Sequence, residues 1–86
     1  MKIVRKPVDV IAIFKRGELP MPARVRMELG GQEITVKVDR IIKAERAKNV
    51  GKGEICYTCQ SSIDGINKLY ELKFLLDTIE WSLYKI

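Results

Sequence analysis

Ile55-Cys56-Tyr57-Thr58-Cys59-Gln60-Ser61-Ser62-Ile63-Asp64-Gly65-Ile66-Asn67-Lys68-Leu69-Tyr70-Glu71-Leu72-Lys73-Phe74 is the stretch on which the fold turns. Asp-Gly between alternating hydrophobic runs is a strong signal for a two-residue hairpin. Folding back there sets Ile63 opposite Ile66, Cys59 opposite Tyr70, Tyr57 opposite Leu72 and Ile55 opposite Phe74, so one face is expected to be apolar along its length. The other face pairs Ser62 with Asn67, Gln60 with Leu69, Thr58 with Glu71 and Cys56 with Lys73, a set suited to water.

Outward from this hairpin the same alternation recurs. Asp77-Thr78 makes a second reversal, setting Leu76 opposite Ile79, Phe74 opposite Trp81 and Leu72 opposite Leu83. Trp81, the single tryptophan, is thereby expected at the centre of the C-terminal core. Upstream, Ala23, Val25, Met27 and Leu29 alternate with Arg24, Arg26 and Glu28 before Gly30-Gly31. Ile34, Val36 and Val38 alternate with Thr35, Lys37 and Asp39 after it. A two-residue Gly30-Gly31 loop opposes Glu28 to Glu33 and Arg24 to Lys37, whereas a four-residue loop over 30–33 sets Arg24 opposite Asp39. Charge favours the longer loop, and glycine turn preference the tighter one.

Alternation fails at Arg40-Ile41-Ile42, where a β-bulge would restore the phase and let the strand turn a barrel corner. The polar, basic segment 43–52 reads as a long extended connection or a splayed hairpin, with a single helical turn over 44–48 as the alternative. At the other end Val8 to Phe14 is apolar on both parities, and its β-branched content between Pro7 and Gly17 favours a strand. Pro20 and Pro22 break regular structure and mark a turn or the start of an edge. The expected fold is all-β: one domain over residues 1–86, a small barrel or strongly curled antiparallel meander of about six strands.

Composition bounds what such a domain does. Eighty-six residues, 47% hydrophobic and 31% charged, make a single small-cored soluble domain, and no apolar stretch approaches the ~20 residues of a membrane helix. Asp9 interrupts the N-terminal apolar run and no small-residue cleavage site follows, so no export signal is read. Two cysteines are too few for a disulfide framework, which points to a reducing, cytoplasmic setting.

Cys56-Tyr57-Thr58-Cys59 is a CxxC, but residues three apart on a strand point to opposite faces. Without histidine or a second cysteine pair, only a zinc shared between two subunits survives the ligand count. The expected role is packing, with Cys59 in the core and Cys56 outside, and no metal or cofactor is expected. The lack of histidine also removes the commonest general base. The acids Asp9, Glu18, Asp39, Glu54, Glu71 and Asp77 are scattered, and no enzyme is expected.

The +5 formal charge is uneven. Residues 1–53 hold thirteen Lys/Arg against six Asp/Glu, a balance of +7, and residues 54–86 hold three against five, a balance of −2. Arg24, Arg26, Lys37, Arg40, Lys43, Arg46, Lys48 and Lys52 form a candidate phosphate-binding stripe along the second hairpin and the segment after it. Against this stands the ordinary fate of Lys and Arg, a solvated face. The aromatics Tyr57, Tyr70, Phe74 and Trp81 also fall on the presumed core face, leaving Tyr84 alone outside for stacking.

Over Phe14 to Ile42, with Pro22, Arg24, Gly31, Val38 and Ile41 in order, and then through the Asp64-Gly65 hairpin and the closing tryptophan strand, the chain resembles short bacterial all-β proteins of uncharacterised function. The resemblance supports the strand order and implies no activity or site residue. The expected function is a non-catalytic binding or interaction domain, a homo-oligomer such as a homodimer, because a thin barrel covers only one face of Val8 to Phe14. A nucleic-acid-binding module using the basic hairpin and loop is the alternative.

Overall fold

Seven antiparallel strands form one strongly curled sheet: β1 (Ile3–Ile13), β2 (Met21–Leu29), β3 (Gln32–Lys37), β4 (Arg40–Asn49), β5 (Lys52–Ile63), β6 (Ile66–Leu75) and β7 (Glu80–Lys85). The structure, a computed structural model, describes residues 1–49 and 52–86, and side chains over 1–47 and 53–86. The spatial order β3-β2-β1-β7-β6-β5-β4 brings the first and last strands together in the middle and leaves β3 and β4 as edges. At the β1–β7 contact the Lys2 N–H donates to the Ile86 carbonyl at 2.8 Å, and the Ile86 N–H to that of Lys2 at 3.0 Å. The sheet is a cylinder left open between two strands that follow one another in the chain.

The β5–β6 hairpin has the register the Asp-Gly turn dictates, from Ile63↔Ile66 through Cys59↔Tyr70 to Ile55↔Phe74. Asp64 (φ 51) and Gly65 (φ 74) are both left-handed, as a type I′ turn requires. The inward face is nevertheless not wholly apolar, since Ser61 lies on it opposite Lys68 and is fully buried. Its hydroxyl is satisfied, donating to the Lys37 carbonyl at 2.7 Å and sharing a 2.6 Å hydrogen bond with the Tyr70 hydroxyl.

Gly30-Gly31 makes the tight loop, with Arg24↔Lys37 and Glu28↔Glu33 opposed. Turn chemistry prevails over the charge preference. Both glycines are left-handed (φ 58 and 79), and Arg26 relieves the acidic side by binding Asp9 at 3.2 Å and Glu33 at 3.8 Å. Phe74 pairs with Trp81 and Leu72 with Leu83. The ring centroids of Trp81 lie 4.7 Å from Phe74 and 5.5 Å from Tyr57. Around these sit Val25, Met27, Val36, Ile55, Cys59, Tyr70, Leu72 and Leu83, all buried.

The bulge expected near Arg40-Ile41-Ile42 is present, with Ile42 the extra residue between Ile41↔Cys59 and Lys43↔Thr58. Before it the chain makes a corner. The Val38 N–H donates to the Ala23 carbonyl on β2 (2.9 Å) and the Asp39 N–H to the Gln60 carbonyl on β5 (3.0 Å). One sequence run therefore becomes two strands, β3 on β2 and β4 on β5, which accounts for seven strands where six are expected. The segment 43–49 is strand, paired with β5 out to Asn49↔Lys52, and contains no helical turn.

Candidate interaction surface

The corner at Val38-Asp39 creates a groove on the open seam. Leu19, Pro20 and Met21 form one wall, Ile41, Ile42, Lys43 and Ala44 the other, and Tyr57 lies between them in a space of about 490 Å3. The Tyr57 hydroxyl donates to the Pro20 carbonyl, tying the β1–β2 connection across the barrel end. Asp39 closes the other side of the corner by accepting the Ser62 N–H at 2.8 Å. The groove runs along the surface and is not carved into the core.

Beside it lies an exposed apolar patch. Ile13 pairs with Met21 across β1 and β2, Ile11 stands two residues before Ile13 on the same face, and Met21 and Ile42 are the two lips of the groove. Their exposures are 64% for Ile11, 50% for Ile13, 41% for Met21 and 47% for Ile42. Side chains of this kind scattered singly are ordinary, but four in continuity across three strands are an interaction feature. The sequence signals only the first two, through the double parity of Val8 to Phe14. Met21 is hidden between two prolines and Ile42 inside the bulge.

The predicted basic set is divided by the same bulge. Arg24, Arg26 and Lys37 share the outer face of β2 and β3, as alternation requires, and Arg40 and Lys43 take outer positions on β4, opposite Gln60 and Thr58. Arg46 falls opposite Ile55, on the parity of the concave face, although it is solvent exposed. Lys48 and Lys52 belong to β4 and β5, and their side chains lie outside the described residues. Arg26 is held by two carboxylates, and Lys43 bonds Glu45 at 2.9 Å, whose hydrogen bond and charge raise the Lys43 pKa. Arg24, Lys37, Arg40 and Arg46 form no ion pair among the described residues.

Four acids that are distant in sequence, Asp9, Glu28, Glu33 and Glu80, meet around Arg26 in a second surface groove. Asp9 and Glu33 are Arg26 partners there, so the cluster is an exposed ion-pair network. Among the described residues no three Cys, Asp or Glu side chains gather as metal ligands do, and no helix is long and apolar enough to cross a membrane.

The cysteines occupy opposite faces of β5, both as free thiols. Burial pushes Cys59 up to about 12. Cys56, on the outer face, donates to Glu71 Oε1 at 3.6 Å, and partial burial followed by the Glu71 charge raises its pKa. Both effects favour the inert thiol over the nucleophilic thiolate. Tyr84, the aromatic expected outside, has Lys73 Nζ 3.7 Å from its ring centroid, with Lys85 and Arg5 at 5.2 and 5.8 Å. Lys73 also reaches Glu54 at 3.5 Å, so the ring is already engaged by cations of its own fold. Comparison with known proteins brings no match, whether with family models, curated sequences or solved structures.

Proposed function

We propose that the domain is a non-catalytic interaction module that pairs with a second copy of itself through Ile11, Ile13, Met21 and Ile42. The observation that supports this is the continuity of the four exposed side chains across β1, β2 and β4. Burying what remains exposed of each contributes about 1 kcal/mol, by the area rule for large aliphatic side chains. A self-complementary apolar patch suits a two-fold dimer, in which each residue meets its counterpart or a near neighbour.

Size-exclusion chromatography with light scattering tests the pairing over a wide range of concentration. The expected outcome is a dimer that Ile11→Glu and Ile13→Glu each convert to monomer, with the far-ultraviolet circular dichroism unchanged. A wild-type chain that stays monomeric at high concentration overturns the proposal.

Nucleic-acid binding is a second reading, favoured by the outer-face position of Arg24, Lys37 and Arg40, which have no ion-pair partner among the described residues. It predicts affinity for oligonucleotides that falls steeply with salt and weakens when Arg24, Lys37 and Arg40 are changed to Gln. Binding indifferent to salt or to those changes excludes it.

A further inference from the structure

We propose that the free edge of β4 takes up an extended, acidic segment of a partner protein as an additional strand. Among the described residues β4 hydrogen-bonds only to β5 and stands last in the sheet. From Lys43 to Asn49 its register against β5 is uninterrupted, so beyond the bulge it presents a regular template of unpaired N–H and C=O groups. Such an edge either is protected or is used. The preceding strand does not cover it, because β3 is bonded to β2 and parts from β4 at the Val38-Asp39 corner.

The opposite lip is also open. The β2–β3 register ends at Arg24↔Lys37, so Met21 faces the groove without a β3 partner, and the buried Pro22 beside it has no N–H to leave unsatisfied. A strand entering here pairs with β4, and its inward side chains rest on Ile41, Ala44 and Tyr57.

Charge selects the occupant. On β4 Arg40 and Lys43 share the outer face and Arg46 the inner, against a single acid, Glu45, which is bonded to Lys43. A second β4 carries the same net positive charge, which disfavours its addition, as edge cations commonly do to block self-pairing. A partner strand alternating carboxylates with β-branched side chains sets its acids beside Arg40 and Lys43 on the outer face and turns its apolar side chains toward the groove. A polyphosphate backbone meets the cations but cannot form the ladder.

The test uses the whole chain and a fluorescein-labelled ten-residue peptide alternating Glu and Val, followed by fluorescence anisotropy and amide hydrogen exchange. Expected are saturable binding, slowed exchange at Lys43 to Ala47, and loss of affinity by about tenfold or more when alternate peptide amides are N-methylated, since several hydrogen bonds are removed at once. Arg40→Glu with Lys43→Glu weakens binding comparably, and should that variant be unstable, the N-methylated peptide still probes the ladder on the wild-type fold. Equal binding of the N-methylated peptide, protection mapping to β2 and β3, or preferential binding of a ten-residue oligothymidylate would overturn the proposal. Light scattering on the same samples reports self-association separately, so failure of the dimer and failure of strand addition are distinguished.

Discussion

Ile79 holds a backbone φ of 58 in the turn between β6 and β7, where its N–H donates to the Leu75 carbonyl at 2.9 Å. A β-branched residue in the left-handed region brings Cβ against the neighbouring carbonyl, at about 1–2 kcal/mol. The side chain is 76% exposed and recovers little of that through burial. Asp64 at φ 51 shows the contrast, because Asp tolerates this conformation through its short polar side chain. Ile79→Asn is therefore expected to raise the urea unfolding free energy by about 1 kcal/mol, whereas Ile79→Val keeps the strain and brings no gain. A destabilised Asn variant with an intact dichroism spectrum would show that Ile79 makes contacts worth more than its backbone costs.

At the scale of elements, the β2–β3 hairpin shows turn chemistry and charge in conflict. Arg24 stands directly opposite Lys37 on the outer face, and like charges so placed destabilise by a few tenths of a kcal/mol. Lys37→Glu turns repulsion into attraction and is expected to add about 0.5 kcal/mol at low ionic strength. The gain shrinks in about 1 M salt, where screening reaches about 3 Å. Only the backbone carbonyl of Lys37 serves the Ser61 bond, so the substitution leaves the buried network in place. Parallel urea titrations of the two proteins at low and high salt measure both effects.

Where local signals agree, as at Ile55 to Phe74, the register is legible from sequence down to individual pairs. Where they conflict, tertiary contacts decide. The Val38-Asp39 corner is invisible locally because its bonds reach Ala23 and Gln60 on two different strands. Residues 3–7 read poorly as strand, with Arg5, Lys6 and Pro7 among them, and they become strand only because β7 returns beside them. The cations are identifiable by type but not by face, since the Ile42 bulge puts Arg40 and Lys43, three residues apart, on one face and sends Arg46 to the other.

For the molecule as a whole, the interior row of β5 and β6 ties stability to alkaline pH. Burial raises Cys59 from 9.0, and Tyr57 and Tyr70 from 10.0, each to about 12. For Tyr70 the Ser61 hydrogen bond opposes part of the rise. All three are neutral when protonated, and the folded state favours that form. The unfolded chain gives up these protons near pH 9 to 10, while the native state keeps them to about 12. In that window the unfolded state binds fewer protons, so unfolding becomes easier as pH rises. Below the ordinary thiol value the contribution is fully present and constant. Urea midpoints followed by Trp81 fluorescence are thus expected to be unaffected by these groups up to about pH 8 and to decline above about pH 9. Cys56 on the outer face is raised from the same 9.0, so Cys59→Ala combined with Cys56→Ala removes both thiol ionisations and delays the onset toward the tyrosine range, at the cost of a lower overall midpoint from the lost packing. An onset unmoved in the double variant would mean that the decline begins elsewhere, and a wild-type midpoint steady through pH 11 would mean that water reaches these three groups in the folded chain.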